Sequence, residues 1–189
     1  MRRLVLLAVP ALAVVVLAGC GAVPSAEQKE FVPAERAGPQ RVELDWRESY
    51  GDGARALHFE VASLAVLENG WTARIAIENE TGIAFQLGSR PLALVFGLML
   101  FSDGSVETLD EANRAGVLPA PRKAVRIEPE PPSLLTDGQR WEATISAPGA
   151  LPAGSHVRVV FGTLFAVGEP PGDMEPTVVW ITDRSTRLR

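Results

Sequence analysis

One cysteine, Cys20, occurs in 189 residues, so no internal disulfide can form, and the fold must be held by packing alone. Histidine is almost as scarce: only His58 and His156 are present. A three-ligand metal centre would have to recruit carboxylates or Met99 and Met174, and neither histidine stands in an HExxH or similarly spaced cluster. His58-x-Glu60 places two potential ligands on one strand face, which reads most simply as a solvated face. There is no G-x-S-x-G turn and no glycine-rich phosphate loop. Ser155 adjoins His156, but neighbours on a strand point to opposite faces and cannot share a proton. The carboxylate pairs Asp110-Glu111 and Glu128-x-Glu130 have no predicted pocket, and Asp103 to Asp110 lacks the oxygen-ligand pattern of a calcium loop. Basic excess is also missing, with 18 Lys and Arg against 23 Asp and Glu, which argues against nucleic acid as a partner. These shortages lead us to expect no catalytic residue, no metal site and no cofactor.

The N-terminus carries positive information. Arg2 and Arg3 precede a fourteen-residue apolar run, Leu4 to Leu17, too short for the roughly 20 residues of a spanning helix. The segment has the layout of a secretory signal. Its close, Leu17-Ala18-Gly19-Cys20, resembles the lipobox of bacterial lipoproteins. The resemblance implies cleavage before Cys20, a diacylglyceryl group on its sulfur and a location on the outer side of the cytoplasmic membrane, extracellular or periplasmic. Two acyl chains hold a protein to a bilayer where one would not. Removal of residues 1–19 lowers Lys and Arg from 18 to 16 against 23 acids, a formal charge of −7 in place of −5.

Residues 20–40, polar and interrupted by Pro24, Pro33 and Pro39, read as a tether. Fully extended it would span at most about 70 Å, and as a flexible coil about 25 Å. From Arg41 to Arg189 the pattern is that of strands. Val42, Leu44 and Trp46 alternate with charges; Leu57, Phe59 and Val61 continue in phase, then Leu64 and Val66 after a shift that predicts a bulge near Ala62-Ser63. Asn69-Gly70 predicts a type I′ hairpin, followed by Trp71, Ala73, Ile75 and Ile77 on one face. Asn79-Glu80-Thr81-Gly82 spells a glycosylation sequon but reads as a turn. Further strands are expected at Leu92 to Phe101, Lys123 to Glu128, Trp141 to Ile145, Val157 to Val167 and Thr177 to Thr182. One short helix is expected between Ser105 and Pro121, capped by Thr108 to Glu111 and ended by Gly116. Short strands between frequent turns predict an all-β, antiparallel β-sandwich with one short helix or long covering loop.

The chain order, Val61-Ala62-Ser63-Leu64, a Gly-Trp turn, Ile75-x-Ile77-x-Asn79, then Asp137-Gly138-Gln139 and Pro152-x-Gly154, resembles telokin-like, immunoglobulin-fold domains of secreted bacterial proteins. That resemblance spans roughly Leu57 to Val167, implies an immunoglobulin-like architecture and brings no site residue with it.

Three runs break the alternation that an open sheet needs: Leu92 to Phe101, Val159 to Phe165 and Val178 to Ile181. Their second face must be covered. The simpler covering is intramolecular, with Leu109, Val117 and Leu118 laid across it. The functional alternative is a partner or lipid surface built from Val95, Leu98, Leu109, Val117, Val160, Leu164 and Trp180. Gly97 and Gly162, inside apolar strands, point to a bulge or a close backbone approach. The terminal Arg184 to Arg189 is basic and is expected either to fray or to meet anionic headgroups. Together these features predict a lipid-anchored envelope protein working as an interaction or scaffolding module. The alternative is a binding protein for a small apolar or lipid-like ligand; a metal-handling or hydrolytic role ranks below both.

Overall fold

The computed structural model describes residues 35–87 and 96–189; Cys20, Val95 and the signal and tether up to residue 34 lie outside the described residues. Twelve strands and one helix follow in chain order: β1 (Gln40–Asp52), β2 (Arg55–Leu67), β3 (Gly70–Asn79), β4 (Ala84–Leu87), β5 (Phe96–Phe101), α1 (Val106–Arg114), β6 (Arg122–Lys123), β7 (Arg126–Glu128), β8 (Leu134–Leu135), β9 (Arg140–Pro148), β10 (His156–Val167), β11 (Thr177–Ile181) and β12 (Thr186–Arg187). They form two antiparallel sheets, one ordered β1-β2-β3-β9-β7. In the other, β10 is central. β5 and β4 pair with successive stretches of one of its edges, while β12 and β11 pair with the other. β6 and β8 extend the β5 and β4 side. The fold is an antiparallel β-sandwich.

Alternation explains the five-stranded sheet. Leu57, Phe59, Val61, Leu64 and Val66 of β2, Trp71, Ala73, Ile75 and Ile77 of β3, and Trp141, Ala143 and Ile145 of β9 all turn into one core. The facing sheet contributes Phe85, Phe96, Leu98, Val157, Val159, Phe161 and Leu164. Each buried Val, Leu, Ile or Phe among them contributes roughly 1.5–3 kcal/mol. The expected bulge is present: the β2–β3 register shifts between Val61 and Ser63.

Several local details differ from the sequence reading. Leu67 pairs with Gly70, so Glu68 and Asn69 occupy the centre of the hairpin turn, and neither has a positive φ. The turn is therefore not type I′. Gly70 is required instead by close approach, because a Cβ there would sit 2.6 Å from the Ala147 carbonyl oxygen of β9. The helix begins three residues before the expected cap: Ser105 is the N-cap and its hydroxyl accepts from the Thr108 amide at 3.3 Å. The Lys123–Glu128 run divides into β6 and β7 because the chain there crosses from one sheet to the other. Residues before 41 also belong to the domain, since Arg36 bridges Pro152 and the Ala37 amide donates to Leu151 at 2.8 Å. The basic terminus is not frayed: Thr186 and Arg187 pair with β10, and Leu188 is buried.

Candidate functional site

The second face of the β5–β10–β11 sheet is covered from within. Met99, Phe101, Val160 and Leu109 form a separate apolar cluster, flanked by Ala112, Leu118 and Ile181. Leu109 and Ala112 come from α1, whose other side presents Glu107, Asp110 and Glu111 to water. Beside this cluster lies Arg158, which the sequence reading did not single out. Its side chain is 0% exposed. Nη1 donates to the carbonyls of Thr182 (2.7 Å) and Asp183, and Nη2 to those of Gly104 (3.0 Å) and Ser105 (2.6 Å). The guanidinium also lies 5.5 Å from the centre of the Phe101 ring. Burial pushes its pKa down, opposed by the charges of Asp183, Glu48, Asp103 and Asp110. A delocalised, always protonated cation with a planar fork of donors is the one side chain suited to four carbonyls at once. It fastens the start of α1 to the segment after β11.

The residues proposed for an open apolar face therefore divide. Leu98 faces the main core beside its partner Val159, and Leu164 does so because the bulge at Gly162 (φ +73°, against the Phe96 ring) reverses the phase of β10. Gly97 allows the β6 backbone to approach at Arg122. Trp180 also turns inward, stacked on Phe59 at 5.1 Å, with its indole N–H donating to Glu48 at 2.9 Å. Val160 and Leu109 are buried against each other's cluster. Val117 is 68% exposed and lies across nothing. The six described positions do not compose one accessible surface; Val95 lies outside the described residues.

The outer face of the five-stranded sheet is different. Arg47 on β1, Glu60 on β2, Glu78 on β3 and Arg140 on β9 join across strands, with Arg47–Glu60 at 2.8 Å, Arg140–Glu60 at 2.6 Å and Arg47–Glu78 at 3.1 Å. Arg140 also donates to Glu142 at 2.9 Å. The hydrogen bond from Arg140 and the nearby positive charges hold the Glu60 carboxyl below its ordinary value, although burial works against them. Next to this lattice is a depression of about 230 Å³ whose lining includes Ala62, Arg74, Ala76, Glu128, Glu142 and Thr144. Arg74 has no ion pair among the described residues.

At the end of the same face, Ser49 lies 2.7 Å from His58 Nδ1, and His58 Nε2 lies 2.8 Å from Glu80. The carboxylate can only accept, so in the neutral ring it fixes the Nε2–H tautomer and leaves Nδ1 to accept from the Ser49 hydroxyl. His58 was legible as a face residue; Ser49 and Glu80 meet it only through the β1–β2–β3 register. His156 lies elsewhere, on β10 against Gly104. Met99 is under α1 and Met174 in the main core, so the four possible soft ligands are not brought together. Among the described residues no three His, Cys, Asp or Glu side chains are placed to hold a metal ion. No helix there is long and apolar enough to cross a membrane. Asn79, the sequon residue, is buried, donating to the Ile83 and Leu135 carbonyls at 2.8 and 2.9 Å and accepting from Thr81.

No family model, curated protein or solved structure matches the chain, so the fold is stated as an antiparallel β-sandwich and no narrower family is assigned.

Proposed function

We propose that the chain is a lipid-anchored protein of the cell envelope, held by Cys20 and facing away from the cytoplasm, whose β-sandwich binds a partner protein and performs no catalysis. The Leu17-Ala18-Gly19-Cys20 close of a short apolar segment carries the anchoring half of this reading. Partner binding is supported by the outer face of the five-stranded sheet. Its charges hold one another in a lattice, and the Ala62–Ala76 depression gives a partner side chain a place to seat beside Arg74, which has no ion pair among the described residues. Charges on such a face act on partner selectivity and encounter rate more than on affinity. An apolar ligand held beneath α1 is less well supported, because Leu109, Ala112 and Leu118 fill that space.

A photo-crosslinking side chain at Ala62 or Arg74 in living cells, followed by mass spectrometry, tests the proposal. One reproducible partner, absent from a Cys20→Ala control, is the expected result; crosslinks to no protein at either position would overturn it. The Ser49–His58–Glu80 alignment favours a second reading, a serine nucleophile. Fluorophosphonate labelling of Ser49 that disappears in His58→Ala would replace the non-catalytic reading with that one.

A further inference from the structure

The β-sandwich is electrically polar along its strands. The chain enters the domain where Arg36 bridges Pro152 and Gln40 pairs with Val66, one residue before the β2–β3 turn. Arg187 and Arg189 lie at the same pole: Gln40 donates to the Arg189 carbonyl at 3.0 Å, and Arg187 lines a cleft with Gly154. None of these three arginines has an ion pair among the described residues. The opposite pole is acidic. It carries Asp52 and Asp173 in one cleft, Glu80 and Asp137 in the turns after β3 and β8, and Glu175 beside Tyr50.

The first pole also carries two of the six exposed large apolar side chains of the described residues, the others being Val117, Leu134, Val167 and Val179. Leu67 (49% exposed) and Val125 (76%) line a groove of about 620 Å³ between the β2–β3 turn and Pro148. Val125 belongs to Arg122-Lys123-Ala124-Val125-Arg126, three cations and no acid in five residues of an acidic protein. Arg126 is paired with Glu128 at 2.6 Å, whereas Arg122 and Lys123, just before Val125 in the chain and paired with β5, have no ion pair among the described residues. Glu68 at the turn, Glu35, and Asp103 near His156 reduce the positive charge of the pole.

We infer that this pole is a docking surface for an anionic lipid bilayer. Leu67 and Val125 enter the headgroup layer, the surrounding cations meet lipid phosphates, and the acidic pole points away. The inference rests on the Cys20 anchor. From Cys20 to Glu35 the chain spans at most about 50 Å, so the pole it enters can reach the bilayer in which the anchor sits. An apolar tip ringed by cations is the combination that binds an interface, and each basic residue near the surface contributes. Docking by this pole stands the strands upright and leaves the outer face of the five-stranded sheet free.

The test uses the lipidated full-length protein reconstituted in vesicles. Acylation occupies the Cys20 sulfur, so a polarity-sensitive dye can be attached at Val125→Cys, or at Asp137→Cys on the far pole. In phosphatidylcholine vesicles containing phosphatidylglycerol, the dye at 125 should shift to the blue and be quenched by spin-labelled lipid, and the dye at 137 should do neither. Replacing Arg122 or Lys123 with Gln should lower the docking equilibrium about fivefold each, and high salt should mimic that loss. If the protein floats with the vesicles while the dye at 125 remains in water, docking is overturned and anchoring stands. If the dye at 125 is shielded only in native membranes, the groove takes a protein and the lipid inference fails. A protein that neither floats nor carries acyl mass on Cys20 overturns the anchor itself.

Discussion

The two sheets of the sandwich share one core but meet the outside in opposite ways. The outer face of the five-stranded sheet is bare, and its strands alternate apolar with charged residues until Arg47, Glu60, Glu78 and Arg140 join into a lattice. The outer face of the other sheet is apolar, roofed by α1, with a buried cation at the margin. The difference shows how a small domain handles excess apolar surface. Where the strand code is two-sided, water is the second layer. Where it is not, the chain supplies a layer from its own connection, and that layer must be fixed at its ends, since few apolar contacts hold it.

Arg158 should therefore matter most. Arg158→Met keeps the volume but leaves the carbonyls of Gly104, Ser105, Thr182 and Asp183 without their shared donor. We expect a loss of about 3–5 kcal/mol in chemical denaturation, with amide exchange in Val106–Arg114 accelerated before that of β2 and β3. Equal exchange rates in the mutant and the native helix would mean that α1 is held without the clamp. Val160→Glu should follow, at about 3 kcal/mol, because it places a carboxylate beneath α1 among Met99, Phe101 and Leu109. An unchanged unfolding midpoint would show that the sheet is open at that position.

Most of the contrast was legible in the sequence, but unevenly. The phase of β2, β3 and β9 could be read because each residue's face follows from parity, and the shift at Ala62-Ser63 shows as two apolar sets out of step. The need for a cover was legible for the same reason. Which residues lie beneath it was not. Gly162 reverses the phase of β10, so Leu164 turns inward; a glycine within an apolar run marks a break without giving its direction. Arg158 sits among valines in a strand and resembles any outward-facing charge, since its four acceptors are carbonyls that no side-chain pattern encodes. The sites behaved likewise. His58 and Glu60 were visible on one strand face, whereas Ser49 and Glu80 required registers fixed by the whole sheet. Asn69-Gly70 predicts a type I′ turn, whereas the role of Gly70 is steric and set by β9, a strand distant in the chain.

Leu109→Ala probes the roof from its other side. Leu109 is the only buried residue of α1, and its loss opens a cavity that the short helix can partly collapse into. The expected cost is about 2–3 kcal/mol by denaturant melts, less than at Arg158 because the start of the helix remains fastened. Val117→Asp, a few residues on and exposed, should leave the midpoint unchanged and so marks where the cover ends.

The smallest effect separates the two faces by pH. Glu60 is held below its ordinary value, first by the Arg140 hydrogen bond. Its contribution is thus present above the unfolded-state pKa and lost as pH falls through the folded one. Asp183, beside the clamp, is shifted the other way, first by burial and then by the charge of Glu48. Its cost is present at neutral pH and relieved as pH falls through its raised folded value. Acidification should consequently relieve the roofed face before it weakens the bare one. Glu60→Gln should lower the neutral-pH stability by less than about 1 kcal/mol, because the lattice is only partly buried, and should flatten the acid limb of the urea-midpoint profile. Asp183→Asn should instead remove the gain at the start of that limb. If both variants merely displace the profile without changing its shape, the two carboxylates do not titrate in opposite senses, and the electrostatic distinction between the faces fails.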